Sequence, residues 1–217
     1  MTGGAYDYAM PGRNIEKEYV EDSFYHAYNR GLNKMDIFID DKDYRVFLSL
    51  LKRVLGDEVQ SNKLNREYPN FHNDLELLSY CLMPNHFHLL IRTRNKPKLL
   101  PELMKSVMTS YVMYFNKRHE RTGPLFGKRY RAVRITSDEY LWHISRYIHL
   151  NPLDMGQDYK KYPYSSIDYY IGKKNSDWVK TNEIKEMFKE ARENYSKFLE
   201  DYVERKEELK EIKIGLY

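Results

Sequence analysis

Two short segments carry side chains that can do chemistry together. The first is His86-Phe87-His88. On a strand, residues two apart project from one face with backbones roughly 6.5 to 7 Å apart, so both imidazoles can converge on a single metal ion while Phe87 points into the opposite, buried face. By itself the spacing fits equally well two histidines that decorate a half-exposed sheet. The second segment is Ser145-Arg146-Tyr147-Ile148-His149-Leu150-Asn151-Pro152. On a helix, Tyr147 and Asn151 are four apart and share a face, and an amide oxygen at Asn151 can ligate the metal that Tyr147 approaches. Unaided, the same pair reads as a core tyrosine and an asparagine that ends a helix before proline. His143, four residues before Tyr147, is a candidate proton acceptor or a packing histidine.

The elements that must position these residues follow from periodicity and punctuation. Ser23–Arg30, with Phe24, Tyr25 and Tyr28, reads as a strand ending at the Gly31 turn. Asp41–Leu55 places Tyr44, Phe47, Leu48, Leu51 and Leu55 at helical spacing, with Asp40 or Asp41 as cap and Gly56 as stop. Residues 57–74 show no sustained period and read as a long excursion with room for a short helical turn. Leu75–Met83 and the alternating His86–Thr93 form a hairpin about Pro84-Asn85. A helix from about Leu99 to Glu120 carries Leu100, Leu103, Met104, Val107, Met108, Tyr111, Val112 and Phe115 on one broad face. After Gly123-Pro124, Arg131–Thr136 is a short strand, and Ser137 or Asp138 caps a third helix that Pro152 ends near Asn151.

This order predicts an α+β chain with the split βαβ core of a ferredoxin-like domain. The expected sheet is antiparallel with helices on one face, plus an extra helix that carries Tyr147. Residues 1–19 read as an N-terminal segment of separate character, 20–172 as the domain, and 173–217 as one or two appended amphipathic helices without signs of catalysis.

Composition narrows the classes. The chain has 217 residues, 41% hydrophobic and 31% charged, as expected of a globular domain. No stretch nears the roughly eighteen apolar residues of a membrane span, and the start lacks the apolar core of a signal peptide, so a cytoplasmic location is expected. The single cysteine, Cys81, excludes an internal disulfide and a thiolate zinc cage, which leaves metal chemistry to histidine and oxygen donors. The net charge is only +4, but from Lys117 to Arg134 seven basic residues face one acid. From Ser176 to the C-terminus the balance is −2, so the first 175 residues carry +6. A basic block of this kind is a solvated face or a nucleic-acid surface. The candidate phosphate contacts are Arg30, Lys117, Arg118, Lys128, Arg129, Arg131 and Arg134. Among 21 tyrosines, Tyr111, Tyr114 and Tyr130 are candidates for base stacking, with core packing favoured for Tyr111.

Met83-Pro84-Asn85-His86-Phe87-His88, then Tyr147 to Pro152, then Tyr162-Pro163-Tyr164-Ser165-Ser166 occur in an order that resembles the single-tyrosine HUH transposases. The resemblance spans roughly residues 20 to 170. It includes Tyr25-His26, Asn29-Arg30-Gly31 and Gly123-Pro124-Leu125-Phe126, and it is closest to the branch associated with repetitive extragenic palindromes (REP). It implies His86 and His88 as metal ligands, Asn151 as a third ligand and Tyr147 as the nucleophile. It further implies a metal-dependent enzyme that nicks and rejoins single-stranded DNA near hairpins through a 5′-phosphotyrosine. Mg²⁺ or Mn²⁺ suits such mixed imidazole and amide ligation, although paired imidazoles also accept Zn²⁺. The working unit is expected to be a homodimer or a monomer. The competing expectations are a noncatalytic ferredoxin-like nucleic-acid-binding protein, and a domesticated nuclease that no longer mobilises an element.

Overall fold

In the computed structural model, residues 19–190 and 194–214 are described, with side chains to 189 and from 194 to 204. The N-terminal segment expected over 1–19 therefore lies outside the described residues, except for its last. Four strands, β1 (Ser23–Arg30), β2 (Leu75–Met83), β3 (His86–Thr93) and β4 (Arg131–Ile135), form one sheet in the order β2-β3-β1-β4. Every neighbouring pair is antiparallel. The helices are α1 (Asp41–Leu55), α2 (Leu99–Arg118), α3 (Asp138–Leu150), α4 (Ile167–Tyr170), α5 (Asn182–Glu190) and α6 (Tyr195–Ile214). This is the α+β arrangement that the element order predicts.

Strand alternation divides the molecule into two cores. Tyr25, Ala27, Phe87, Leu89 and Ile91 point to one face and pack beneath α1 and α2 with Phe47, Leu51, Leu103, Val107, Tyr111 and Phe115. The opposite face, through Cys81, Met83, Leu90 and Ile135, packs against α3 and the C-terminal helices. Two of the three expected principal helices thus lie on one face, and the Tyr147 helix covers the other.

Local chemistry sets the boundaries. The Asp40 carboxylate caps α1 by accepting from Lys42 N and Asp43 N, and Ser137 caps α3 by accepting from Tyr140 N. Residues 57–74 form no helix, but one hydrogen-bonded turn ends them, Phe71 O accepting from Asp74 N and Leu75 N, and an isolated bridge joins Ser61 and Glu67 within the excursion. Pro152 does not simply stop the backbone. It starts a 3-10 segment over Asn151–Met155 that ends at Gly156, whose φ of 69° suits glycine.

The segment from Tyr162 to Ser166 runs along β2: Leu82 N donates to Tyr164 O, Ser166 N to Tyr80 O, and Tyr162 OH to Leu82 O. From the C-terminal part, Trp178 and Val179 join the first core, while Ile184, Phe188, Tyr195 and Leu199 join the second. Fully buried His149 connects these parts, with Nδ1 2.5 Å from Tyr195 OH and Nε2 2.8 Å from Ser166 Oγ.

Candidate active site

The end of the sheet that holds the Pro84-Asn85 turn gathers the histidines and Tyr147. His86 opens β3 and lies opposite Arg30, the last residue of β1; His88 lies opposite Tyr28. Partners in an antiparallel ladder share a face, so Tyr28, Arg30, His86 and His88 all belong to the face that α3 covers. The turn itself is braced by the loop after β1. Gly31 N donates to Asn85 O, while Ile37 N and Phe38 N donate to Pro84 O. Gly31 is required there because an added Cβ would collide with the Met35 carbonyl oxygen.

α3 brings Tyr147 across the strands. Its buried face is Leu141, Ile144, Ser145, Ile148 and His149, which leaves Tyr147 45% exposed at the margin. The Tyr147 ring meets the edge of the His88 ring at a centroid separation of 5.2 Å and that of His26 at 6.0 Å. Buried Asn151 donates from Nδ2 to the Tyr147 carbonyl at 2.7 Å, which turns Oδ1 toward His86 Nε2, 3.5 Å away. The helical i, i+4 relation thus aims the amide oxygen as well as placing it.

Burial lowers the pKa of both imidazoles, His88 well below the usual histidine value; Arg30 adds to this for His86, and for His88 so does the penalty of charging it next to His26 and His86. Both rings are therefore neutral near pH 7, as ligation requires. Burial likewise raises Tyr147, helped by Asp154, while the Asn151 hydrogen bond and Arg30 act in the opposite direction. The free phenol stays protonated at neutral pH.

The donor set fits a divalent cation. His88 Nε2 is buried without a hydrogen-bond partner among the described residues, and His86 Nε2 faces an amide oxygen. An orphaned buried ring nitrogen is costly unless something binds it. Among the described residues no three His, Cys, Asp or Glu side chains group to hold a metal; the oxygen donor beside the histidine pair is the Asn151 amide. Cys81 lies opposite His88, but its buried thiol is pushed far up in pKa and sits 3.6 Å from Met83 Sδ.

The predicted phosphate contacts separate into groups. Arg30, Lys128, Arg129 and Arg131 are exposed around the site. Asn29 Nδ2 donates to Lys128 O and Gly127 N to Arg30 O, which docks the 127–129 segment on the end of β1. Arg131 lies opposite Tyr28 and shares its face. Arg134 lies opposite Tyr25 and is directed to the other face, and Lys117 stands exposed on the last turn of α2, also on that side. Arg118 is engaged by Asp40 and by buried Asp43, with contacts of 2.6 Å to each carboxylate, so it holds α1 against α2.

Of the predicted stacking tyrosines, Tyr111 is fully buried, as favoured, while Tyr114 and Tyr130 are half-buried with their hydroxyls engaged. Tyr111 donates to Ile37 O, Tyr114 to Asp43 Oδ1, and Tyr130 pairs with Tyr19 at 2.7 Å. Around His143, Arg146 lies 2.7 Å from its Nδ1, Glu139 lies 3.7 Å from its Nε2, and Phe198 stacks against it. Sequence reasoning assigned no role to His26, whose Nε2 is 2.8 Å from His88 Nδ1. The available signal was alternation, since His26, Tyr28 and Arg30 share one face of β1.

Among solved structures, the fold is similar to that of a REP-associated tyrosine transposase bound to a REP hairpin. The TM-score is 0.56 at 13% identity, over 78% of this chain and 92% of that one. A putative transposase from Deinococcus radiodurans R1 also matches, with a TM-score of 0.39 at 18% identity over 63% and 95% of the two chains. No curated protein matches. Fold and site thus describe a four-stranded α+β domain with a histidine pair facing a helix-borne tyrosine. Residues 57–151, from the excursion before β2 to Asn151, match the family described as Transposase IS200 like.

Proposed function

We propose that this protein is a transposase that nicks and rejoins single-stranded DNA beside a hairpin, with Tyr147 as nucleophile and with His86, His88 and Asn151 holding a Mg²⁺ or Mn²⁺ ion. The observation that carries the reading is the convergence of these side chains: the Tyr147 ring 5.2 Å from that of His88, and Asn151 Oδ1 3.5 Å from His86 Nε2. When bound, the ion supplies charge for a nonbridging phosphate oxygen and makes the phosphorus more electrophilic. Tyr147 loses its phenolic proton to solvent, and its oxygen forms a bond to phosphorus as the bond to the 3′ oxygen breaks. The departing 3′ oxygen takes up a proton as a hydroxyl, and the 5′ side stays on Tyr147. Rejoining is the reverse attack by a 3′-hydroxyl, so the phosphodiester energy is kept without ATP. Arg30, Lys128, Arg129 and Arg131 hold the DNA backbone around this end of the sheet. The hairpin as substrate is drawn from the neighbour with that ligand.

A noncatalytic RNA-binding reading would need an open aromatic sheet, because single-stranded bases stack on exposed rings. Here α3 covers the face in question, and histidines occupy the middle strands.

The test is incubation with hairpin-bearing single-stranded DNA and Mn²⁺, followed by denaturing electrophoresis. A protein–DNA adduct that requires metal and disappears in Tyr147→Phe is expected; an adduct that persists in Tyr147→Phe rejects this nucleophile.

A further inference from the structure

A neutral imidazole carries one N–H donor and one bare acceptor nitrogen. His88 Nδ1 and His26 Nε2 lie 2.8 Å apart, so one hydrogen sits between them, and which ring supplies it fixes the state of His88 Nε2. If His26 supplied it, His88 would carry its own hydrogen on Nε2, leaving a buried N–H with no partner and no lone pair for a metal. If His88 supplies it, Nε2 is a bare lone pair. The second arrangement is the cheaper one for an unpartnered buried atom, since orphaned donors are rarer than under-used acceptors.

We infer that His26 is a positioning residue that accepts the Nδ1 hydrogen of His88 and thereby presents His88 Nε2 as the ligating lone pair. This inference rests on the reading of His88 as a metal ligand. The His26 ring is held for the task. It packs against both the Tyr28 and His88 rings, at centroid distances of 4.9 Å and 5.0 Å, with Tyr28 and His88 in turn 5.8 Å apart. It is 7% exposed, so it acts through His88 and not by contact with substrate. Partners of this kind fix the tautomer and orientation of ligating histidines, and their loss typically weakens metal binding by about 10–100-fold.

The experiment is calorimetric titration of Mn²⁺ into the full chain and into His26→Leu, His26→Glu and His88→Ala variants whose circular dichroism matches the parent. His26→Leu keeps the packing volume and removes the acceptor, so binding should weaken by about 10–100-fold. His26→Glu can only accept, and should bind Mn²⁺ at least as tightly as wild type; a merely structural histidine would not tolerate that buried carboxylate. Independently of any variant, long-range ¹H–¹⁵N spectra of the metal-free wild type should place the His88 hydrogen on Nδ1. Wild-type affinity in His26→Leu while His88→Ala has lost binding, or a His88 hydrogen found on Nε2, overturns this inference alone. A wild-type protein that binds no Mn²⁺ overturns it together with the metal reading on which it rests.

Discussion

Along β1 and β3 the side chains alternate between two faces that treat their polar atoms differently. Beneath α1 and α2 the strands bury Tyr25, Ala27, Phe87, Leu89 and Ile91, and the buried carboxylate there, Asp43, is met by Ile39 N, Tyr114, Arg118 and His119. Beneath α3 the same strands present His26, Tyr28, His86 and His88, with one ring nitrogen of His88 unpartnered and Tyr147 open to solvent beside it. Period-two alternation lets one pair of strands serve stability on one side and chemistry on the other. The bare His88 nitrogen stands among groups that can hold a ligand, next to His86, Asn151 and Tyr147.

This contrast breaks if changes on the two faces have similar consequences. Tyr147→Phe should reduce covalent DNA adduct to background while unfolding free energy changes by no more than about 0.5 kcal/mol, since a half-exposed hydroxyl is removed without a cavity. Adduct assays and urea melts on one preparation test both halves. On the other face, Phe87→Ala should cost about 3–5 kcal/mol in the same melts, because Phe87 is fully buried against Phe47 and Phe126. A mild effect would mean that this side is not the stabilising core.

Asp43→Asn should cost about 3 kcal/mol, the low end for a broken buried ion pair because Arg118 keeps some solvent access. Burial alone would raise the Asp43 carboxyl, but the hydrogen bonds from Ile39 N, His119, Arg118 and Tyr114 outweigh it and hold the pKa below the usual carboxylate value. A depressed carboxyl contributes stability above its unfolded pKa, and that contribution is lost as pH falls through the folded value. The gap between wild type and Asp43→Asn should therefore narrow toward acid; a gap constant with pH would contradict the linkage. The smallest effects belong to the phosphate contacts. Arg129→Ala and Arg131→Ala should each reduce the salt slope of hairpin binding by about 1. Lys117→Ala, on the opposite side, should leave that slope unchanged.

The fold was legible because its signals are local: alternation in β1 and β3, the 3.6-residue stripes of α1 and α2, and the caps Asp40 and Ser137 all act within a few residues. The candidate site was legible in the same way, since His86 and His88 are two apart on a strand, and Tyr147 and Asn151 four apart on a helix. Long-range contacts were not. His26 and His88 are 62 residues apart and meet only through the β1–β3 register. The capture of Arg118 by Asp40 and Asp43 spans more than 70 residues, so charge counting alone could not separate it from exposed Arg129. Tyr111 and Tyr130 were ambiguous for the same reason, because the groups that receive their hydroxyls lie far away in the chain.

The central claim is that the tyrosine facing the histidine pair becomes linked to DNA, and peptide mapping of the adduct tests it most directly. Wild-type protein, cleaved hairpin-bearing single-stranded DNA and Mn²⁺ should yield, after trypsin and nuclease, a nucleotide-bearing peptide spanning 147–160, with fragmentation placing the phosphate on Tyr147 and not on Tyr159. A phosphate carried by Tyr28, Tyr159 or any other residue, or DNA cleaved without a covalent protein product, would contradict the account.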